Sequence, residues 1–210
     1  MSFELWLAFV AASFALLMIP GPTVLLVLSY SMSQGRRVAL STAAGVALGD
    51  LIAMSASLAG LGALVLASAS LFSVLKWVGA AYLIYLGVKL IKAAPDARLG
   101  TLEEVVNTSA SRVFTHAAAV TALNPKSIVF FIAFVPQFVR PEAPLLPQFL
   151  VLITTFVGLA ALNALAYALL GDTLRSKIGN PKVMRWLTQL GGGALVAMGV
   201  ATATLKRASA

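Results

Sequence analysis

The chain has 210 residues, 60% of them hydrophobic and only 10% charged, with a formal net charge of +8 and no cysteine. Ordinary globular domains are roughly half apolar and about a quarter charged, so a soluble fold would have too little polar surface to cover itself, and a bilayer is the fitting solvent. The absence of cysteine excludes disulfides, thiolate metal sites and cysteine nucleophiles, and the basic residues are spread over short segments instead of the dense patch that nucleic acid needs, so no nucleic-acid partner is expected.

Six apolar stretches follow one another along the chain. The first runs from about Leu5 to Ser29 and is broken by Pro20-Gly21-Pro22. Met1-Ser2-Phe3-Glu4 lacks a basic n-region and the apolar run after it is too long for a signal-peptide core, so it is expected to stay as a span. The second runs from about Val38 to Leu66 and the third from about Leu71 to Ile91. A polar segment, about residues 92–112, holds three of the seven acidic residues. The fourth stretch, from about Val113 to Phe138, is interrupted at Asn124-Pro125-Lys126; the fifth runs from about Leu145 to Leu170 and the sixth from about Trp186 to Leu205. A spanning helix takes about 20 apolar residues. Barrel strands would show about 10 residues of alternating polarity, and these runs are longer and apolar all round. The expected fold is therefore all-α: a polytopic membrane protein of six transmembrane helices in one domain, residues 1–210.

Basic residues favour the cytoplasmic side of a membrane protein. Arg36 and Arg37, then Lys89, Lys92, Arg98 and Arg112, then Arg175, Lys177, Lys182 and Arg185 place ten basic residues in or beside three connections, against four at Lys76, Arg140, Lys206 and Arg207. Those three connections are expected in the cytoplasm and both termini outside.

The two halves, about residues 1–95 and 113–210, look alike. Each has three spans, and each opens with a span broken by proline. Each closes with a basic-Trp pair followed by glycines, Lys76-Trp77-Val78-Gly79 and Arg185-Trp186 with Gly191-Gly192-Gly193. Three spans per half would make the halves inverted repeats, and interrupted helices in matching positions of inverted repeats point to a transporter binding site.

The polar residues inside the spans are few. Pro20 and Pro22 each remove a backbone donor and clash with the carbonyl four residues back, while Gly21 permits unusual dihedrals, so the helix must break there. A helix restarting after Pro22 would aim N–H groups near Val24 and Leu25 at the break, a place for a carboxylate. Asn124 is placed to cap a helix that restarts at Pro125, and Lys126 would lie about 14 residues into its span, roughly 20 Å at 1.5 Å per residue. A charge at that depth usually marks function. Asp50 is the carboxylate well inside a span, after Gly45-Val46-Ala47-Leu48-Gly49, a small-residue face for close helix packing. It is read as a proton carrier, as the partner of a substrate ammonium, or as half of a structural pair with Lys126. Asn163, Thr154 and Thr155 in the fifth span suit interhelical hydrogen bonds. Tyr82, Tyr85 and Tyr167, and Phe130, Phe131, Phe134 and Phe138, read chiefly as packing; Trp77 and Trp186 read as interface anchors; and His116, the one histidine, reads as structural.

These motifs together resemble the LysE/RhtB family of bacterial amino-acid exporters over nearly the whole chain. The resemblance rests on Pro20-Gly21-Pro22, Gln34-Gly35-Arg36-Arg37, Gly45-Val46-Ala47-Leu48-Gly49-Asp50, the third-span run from Leu75 to Gly87, and Asn124-Pro125-Lys126 with Phe130-Phe131 and Pro136-Gln137-Phe138. Ala117 stands where the family's glycine is expected, and Thr23 where an asparagine is common. The resemblance implies a multi-pass protein of the bacterial inner membrane that exports amino acids or derivatives of the homoserine, homoserine lactone, threonine and leucine class. It implies coupling to the proton motive force in place of ATP. The expected substrate site is Pro20, Gly21, Pro22, Thr23, Asp50, Asn124, Pro125, Lys126 and Asn163, with Asp50 also serving proton coupling. No enzymatic activity, metal or cofactor is expected. The partners are a small amino-acid-like substrate, the lipid bilayer and, through glycine-rich faces, a possible homodimer. The competing readings are a metal-cation exporter of a related superfamily, a membrane-embedded enzyme and a non-transporting membrane subunit.

Overall fold

The computed structural model describes residues 1–19, 21–96, 109–140, 143–170 and 180–204. Every described element is helical: α1 (Phe3–Met18), α2 (Pro22–Ala67), α3 (Ala69–Ala93), a 3-10 turn (Ala94–Asp96), α4 (Ala110–Ala122), α5 (Pro125–Ala133), a second 3-10 turn (Val135–Phe138), α6 (Leu145–Leu169) and α7 (Pro181–Thr204). The chain is an all-α, polytopic membrane protein. Val38–Ala63, Ser73–Asp96 and Leu145–Leu169 are each long and apolar enough to cross a bilayer. Two bent pairs pass the same test when each is taken as one span: Phe3–Met18 with Pro22–Ser31, bent by 62°, and Ala110–Ala122 with Pro125–Phe138, bent by 46°. The sixth expected span coincides with α7, whose 24 residues have the necessary length but include Lys182, Arg185 and Gln189. Leu146, Leu162 and Val78 are among the large apolar side chains left exposed on α6 and α3. So much bare apolar surface on a soluble monomer would be a liability, and lipid solvates it.

Helix starts follow local chemistry. Ser2, Ser68 and Ser109 each place a side-chain oxygen on a backbone N–H of the first turn, from Leu5, Leu71 and Arg112, the usual way of satisfying the orphan donors of a helix start. Ahead of α6, Gln148 accepts from the N–H of Arg140 and donates to the carbonyls of Arg140, Ala143 and Pro144, which fixes the connection. One expectation is revised: residues 32–37, read as a connection carrying Arg36 and Arg37, continue α2 as helical backbone, so α2 is 46 residues long. No proline interrupts that stretch, and a lone Gly35 costs only about 1 kcal/mol of helix propensity. The basic stretches at residues 98 and 175–177 lie outside the described residues.

α2 packs along α4 and α6, and α3 packs along α7. The Gly45/Gly49 face is used as expected. A Cβ on Gly45 would collide with the Phe114 carbonyl, and one on Gly49 would lie 2.5 Å from the carbonyl of Ala118. α3 and α7 meet in the same way, with Gly87 against Gly192 and Gly199 against the Ala80 carbonyl. A small cluster of Tyr30, Val38 and Val113 aside, the core divides into two clusters. One is rich in phenylalanine: Phe9, Phe130, Phe131, Phe134, Phe138 and Phe156 are all buried and linked by ring contacts such as Phe131–Phe156 at 4.8 Å and Phe134–Phe138 at 5.1 Å. The other is built from smaller residues, among them Ala39, Ala43, Ala117, Ala164 and Ala168. The packing role expected of the phenylalanines holds. Tyr82 and Tyr85 differ: they stand exposed on α3, ring to ring at 6.0 Å, because α3 turns that face to lipid.

Candidate functional site

Both prolines-and-polar motifs break their helices, and the two breaks meet. α1 ends at Met18 and α2 begins at Pro22. Pro20 lies outside the described residues. The φ of Gly21 lies outside the left-handed region, so the unusual dihedrals expected there are not used, and a Cβ there would stand in ordinary contact, 3.6 Å from Lys126 Nζ. At the second break, Asn124 Oδ1 accepts from Lys126 N at 3.1 Å and caps α5, with Pro125 at its first position, where the missing N–H is harmless. The Thr121 carbonyl, which Pro125 cannot bond, accepts from Asn124 N at 3.1 Å instead.

Polar side chains tie the breaks together. Asn124 Nδ2 donates to Thr23 Oγ1 at 3.3 Å, and Thr23 Oγ1 lies 3.5 Å from Thr121 Oγ1. Lys126 Nζ donates to the carbonyls of Leu16 at 3.1 Å and Ile19 at 3.0 Å, and Asn163 Nδ2 donates to that of Leu17 at 3.4 Å. Carbonyls at a helix end have no intrahelical partner, and inside a membrane they must find one. Here α5 and α6 supply it to Ile19 and Leu17, while the Leu16 carbonyl accepts from Ile19 N at 3.3 Å as well as from Lys126.

A cavity lies where the two core clusters adjoin, and α1, α2, α4, α5 and α6 all reach it. Thr23, Asp50, Asn124, Lys126 and Asn163, five of the nine expected site residues, line it. Gly21, Pro22 and Pro125 shape the breaks beside it without lining it. Asp50 is 3% exposed and its Oδ1 has no hydrogen-bond partner. Burying a carboxylate oxygen without a partner is costly, so this atom is set up to receive a donor. The interior free volume is about 30 Å³, room for about two or three waters.

Sequence reasoning missed Thr121 and Ser127, which line the cavity with it. Thr121 stands three residues before Asn124, on the same helical face, a signal that was available. Tyr167, expected to pack, is buried and also lines the cavity. Among the other polar groups of α6, Thr155 accepts from Trp6 Nε1 at 3.0 Å as an interhelical bond. Thr154 does not make one: it is exposed and donates to the carbonyl of Leu150 in its own helix. His116 Nδ1 and Tyr30 Oη are 2.9 Å apart, joining α4 to α2.

A family model described as LysE type translocator matches residues 14–206. The homoserine/homoserine lactone efflux protein of Salmonella typhimurium is 36% identical over 208 residues, 99% of this chain and 100% of the relative. The leucine efflux protein of Salmonella choleraesuis is 34% identical over 139 residues, 66% of this chain and 65% of the relative. An uncharacterized membrane protein of Vibrio cholerae is 34% identical over 207 residues, 98% of this chain and 100% of the relative. No solved structure gives a significant match. With the family model covering nearly the whole chain and the two helix breaks in place, this protein belongs to the LysE type translocator family.

Proposed function

We propose that this chain is a secondary exporter of small amino acids or their derivatives, of the homoserine, homoserine lactone, threonine and leucine class, in the bacterial inner membrane. The observation that carries the reading is Asp50: a buried carboxylate oxygen without a partner, in a cavity formed where two broken membrane helices meet. An α-ammonium is a fitting donor for that oxygen, since a charge-assisted hydrogen bond in a water-poor site is strong. The full-length relative at 36% identity is named for two solutes, homoserine and its lactone. They share the ammonium and differ at the carboxyl, so a site that anchors the ammonium on Asp50 suits both. The first turn of α2 then faces the other end of the solute. Leu25 N already donates to the Gly21 carbonyl at 3.0 Å, which leaves Thr23 and Val24, both on the cavity wall, to offer N–H groups.

Export runs through one domain of two inverted halves that rock about the breaks and expose the cavity to each side in turn. The narrow interior requires this movement, because a space for a few waters must widen to take an amino acid. The proton motive force drives it, with Asp50 taking a proton when the ammonium leaves. The basic stretches at residues 36–37, 89–112 and 175–185 face the cytoplasm. The test is flux from proteoliposomes loaded with a panel of labelled amino acids under an imposed pH gradient. Gradient-dependent movement of one or a few small neutral amino acids is the expected result. Folded protein that moves none of them overturns the reading.

A further inference from the structure

Lys126 reaches from the first turn of α5 to the last turn of α1, 107 residues away in sequence at its contact with Ile19. What it meets there is a set of oxygens. The carbonyls of Leu16 and Ile19 accept from Nζ. They belong to a helix end, where unpaired C=O groups gather about half a negative elementary charge. α1 has no basic residue of its own in that last turn. Asp50, with its unpartnered Oδ1, faces the same space, as do Thr23 and Thr121.

Carbonyls from an unwound segment and from a half-helix C-terminus, joined by a nearby carboxylate, form the kind of site that holds Na⁺ in transporters with broken helices. Hard monovalent and divalent cations take oxygen donors of this kind. In this protein a positive group already occupies the two carbonyl oxygens, and it is covalently part of the other half.

We propose that the Lys126 ammonium is a tethered cation that fills a monovalent-cation site at the first helix break, holding α1 against α5 and freeing the protein from any need for Na⁺ or K⁺. This deepens the transport reading, since it assigns the same cavity a second occupant. Shortening the side chain would vacate the carbonyl oxygens of Leu16 and Ile19 and open them, with Asp50 Oδ1 facing the same space, to a free cation. An arginine would keep the charge and the donors.

The test compares thermal unfolding of purified protein, without substrate, in about 150 mM chloride of N-methyl-D-glucamine, Na⁺, Li⁺ or K⁺, so that screening is constant. Wild type and Lys126→Arg are expected to melt at one temperature in all four salts. Lys126→Ala is expected to melt lower in N-methyl-D-glucamine and to recover, saturably, in at least one small cation. Its flux in proteoliposomes should rise by about tenfold or more in that cation. Asp50→Asn combined with Lys126→Ala should lose the recovery. A Lys126→Ala protein that melts alike in all four salts, or that folds in none, overturns the proposal, as does a wild type stabilised by Na⁺ over N-methyl-D-glucamine. Melting without substrate is independent of transport, so a wild type that moves no amino acid would sink the exporter reading and leave this inference standing or falling on its own data.

Discussion

Asn124 and Thr23 are 101 residues apart in sequence and joined by a hydrogen bond of 3.3 Å, Asn124 Nδ2 donating to Thr23 Oγ1. The bond connects the first residue group after one helix break to the residue that caps the helix after the other. Asn124 does two jobs with one side chain, since its Oδ1 also accepts from Lys126 N. Losing the cap costs about 1 kcal/mol, and losing the cross-link adds a comparable amount. Asn124→Asp is expected to keep the cap and to reverse the cross-link, with the Thr23 hydroxyl donating to the carboxylate, so it should be less destabilising than Asn124→Ala. A double-mutant cycle of Asn124→Ala with Thr23→Val, followed by thermal unfolding, should give a coupling of about 0.5–1.5 kcal/mol. Additive effects would mean that the bond contributes nothing.

The contact of α2 with α4 leaves no room for a methyl group at two positions. A Cβ on Gly49 would lie 2.5 Å from the Ala118 carbonyl and 2.7 Å from Thr121 Cβ, and Gly45 is as tightly met by Phe114 and Ala117. Overpacking of this kind costs about 1–3 kcal/mol. Gly45→Ala and Gly49→Ala should each lower the melting temperature. Gly60→Ala and Gly158→Ala, where nothing lies within 4 Å, should leave it unchanged or slightly raised. Equal effects at all four positions would contradict the packing described.

Two neighbouring threonines on α6 separate an interhelical bond from a local one. Trp6 Nε1 donates to Thr155 at 3.0 Å, whereas Thr154 donates within its own helix at 2.7 Å. Polar bonds between membrane helices average about 0.6 kcal/mol. Thr155→Val should therefore destabilise by roughly that amount, and Trp6→Phe should show no further loss in its background. Thr154→Val should be neutral by the same unfolding assay.

Asp50→Asn keeps the size of the side chain and removes its charge. A hydrogen bond to a charged group contributes about 1.5–3 kcal/mol, so apparent affinity for an ammonium-bearing solute should fall by about 10- to 100-fold. Gradient-driven flux should fall at least as far while the protein stays folded. Full flux in Asp50→Asn would remove Asp50 from both of its proposed roles.

Features that depend on local chemistry were legible in the sequence. The two breaks sit at the prolines because a proline's ring and missing N–H act on its own helix. The Gly45/Gly49 face follows from spacing alone, and the described helices run along the apolar stretches. Features that depend on partners distant in sequence were not legible. Nothing at Lys126 announces that it bonds the carbonyls of Leu16 and Ile19; before folding, a pair with Asp50 was as reasonable. The membrane-facing direction of Tyr82 and Tyr85 is set by where α7 and α5 cover α3, which no single helix encodes. The continuous helix across residues 32–37 went against the expectation of a connection because a glycine and two arginines are common in loops yet are compatible with helix.

In the proposed mechanism the cavity between the breaks holds its solute by the ammonium, on Asp50. Equilibrium binding of labelled homoserine to purified protein, competed with unlabelled homoserine lactone and with N-acetylhomoserine, tests it most directly. The lactone, which keeps the ammonium, is expected to compete; the acetylated compound, which lacks it, is not; and Asp50→Asn is expected to weaken homoserine binding by about 10-fold or more. Effective competition by N-acetylhomoserine, or undiminished binding by Asp50→Asn, would contradict it.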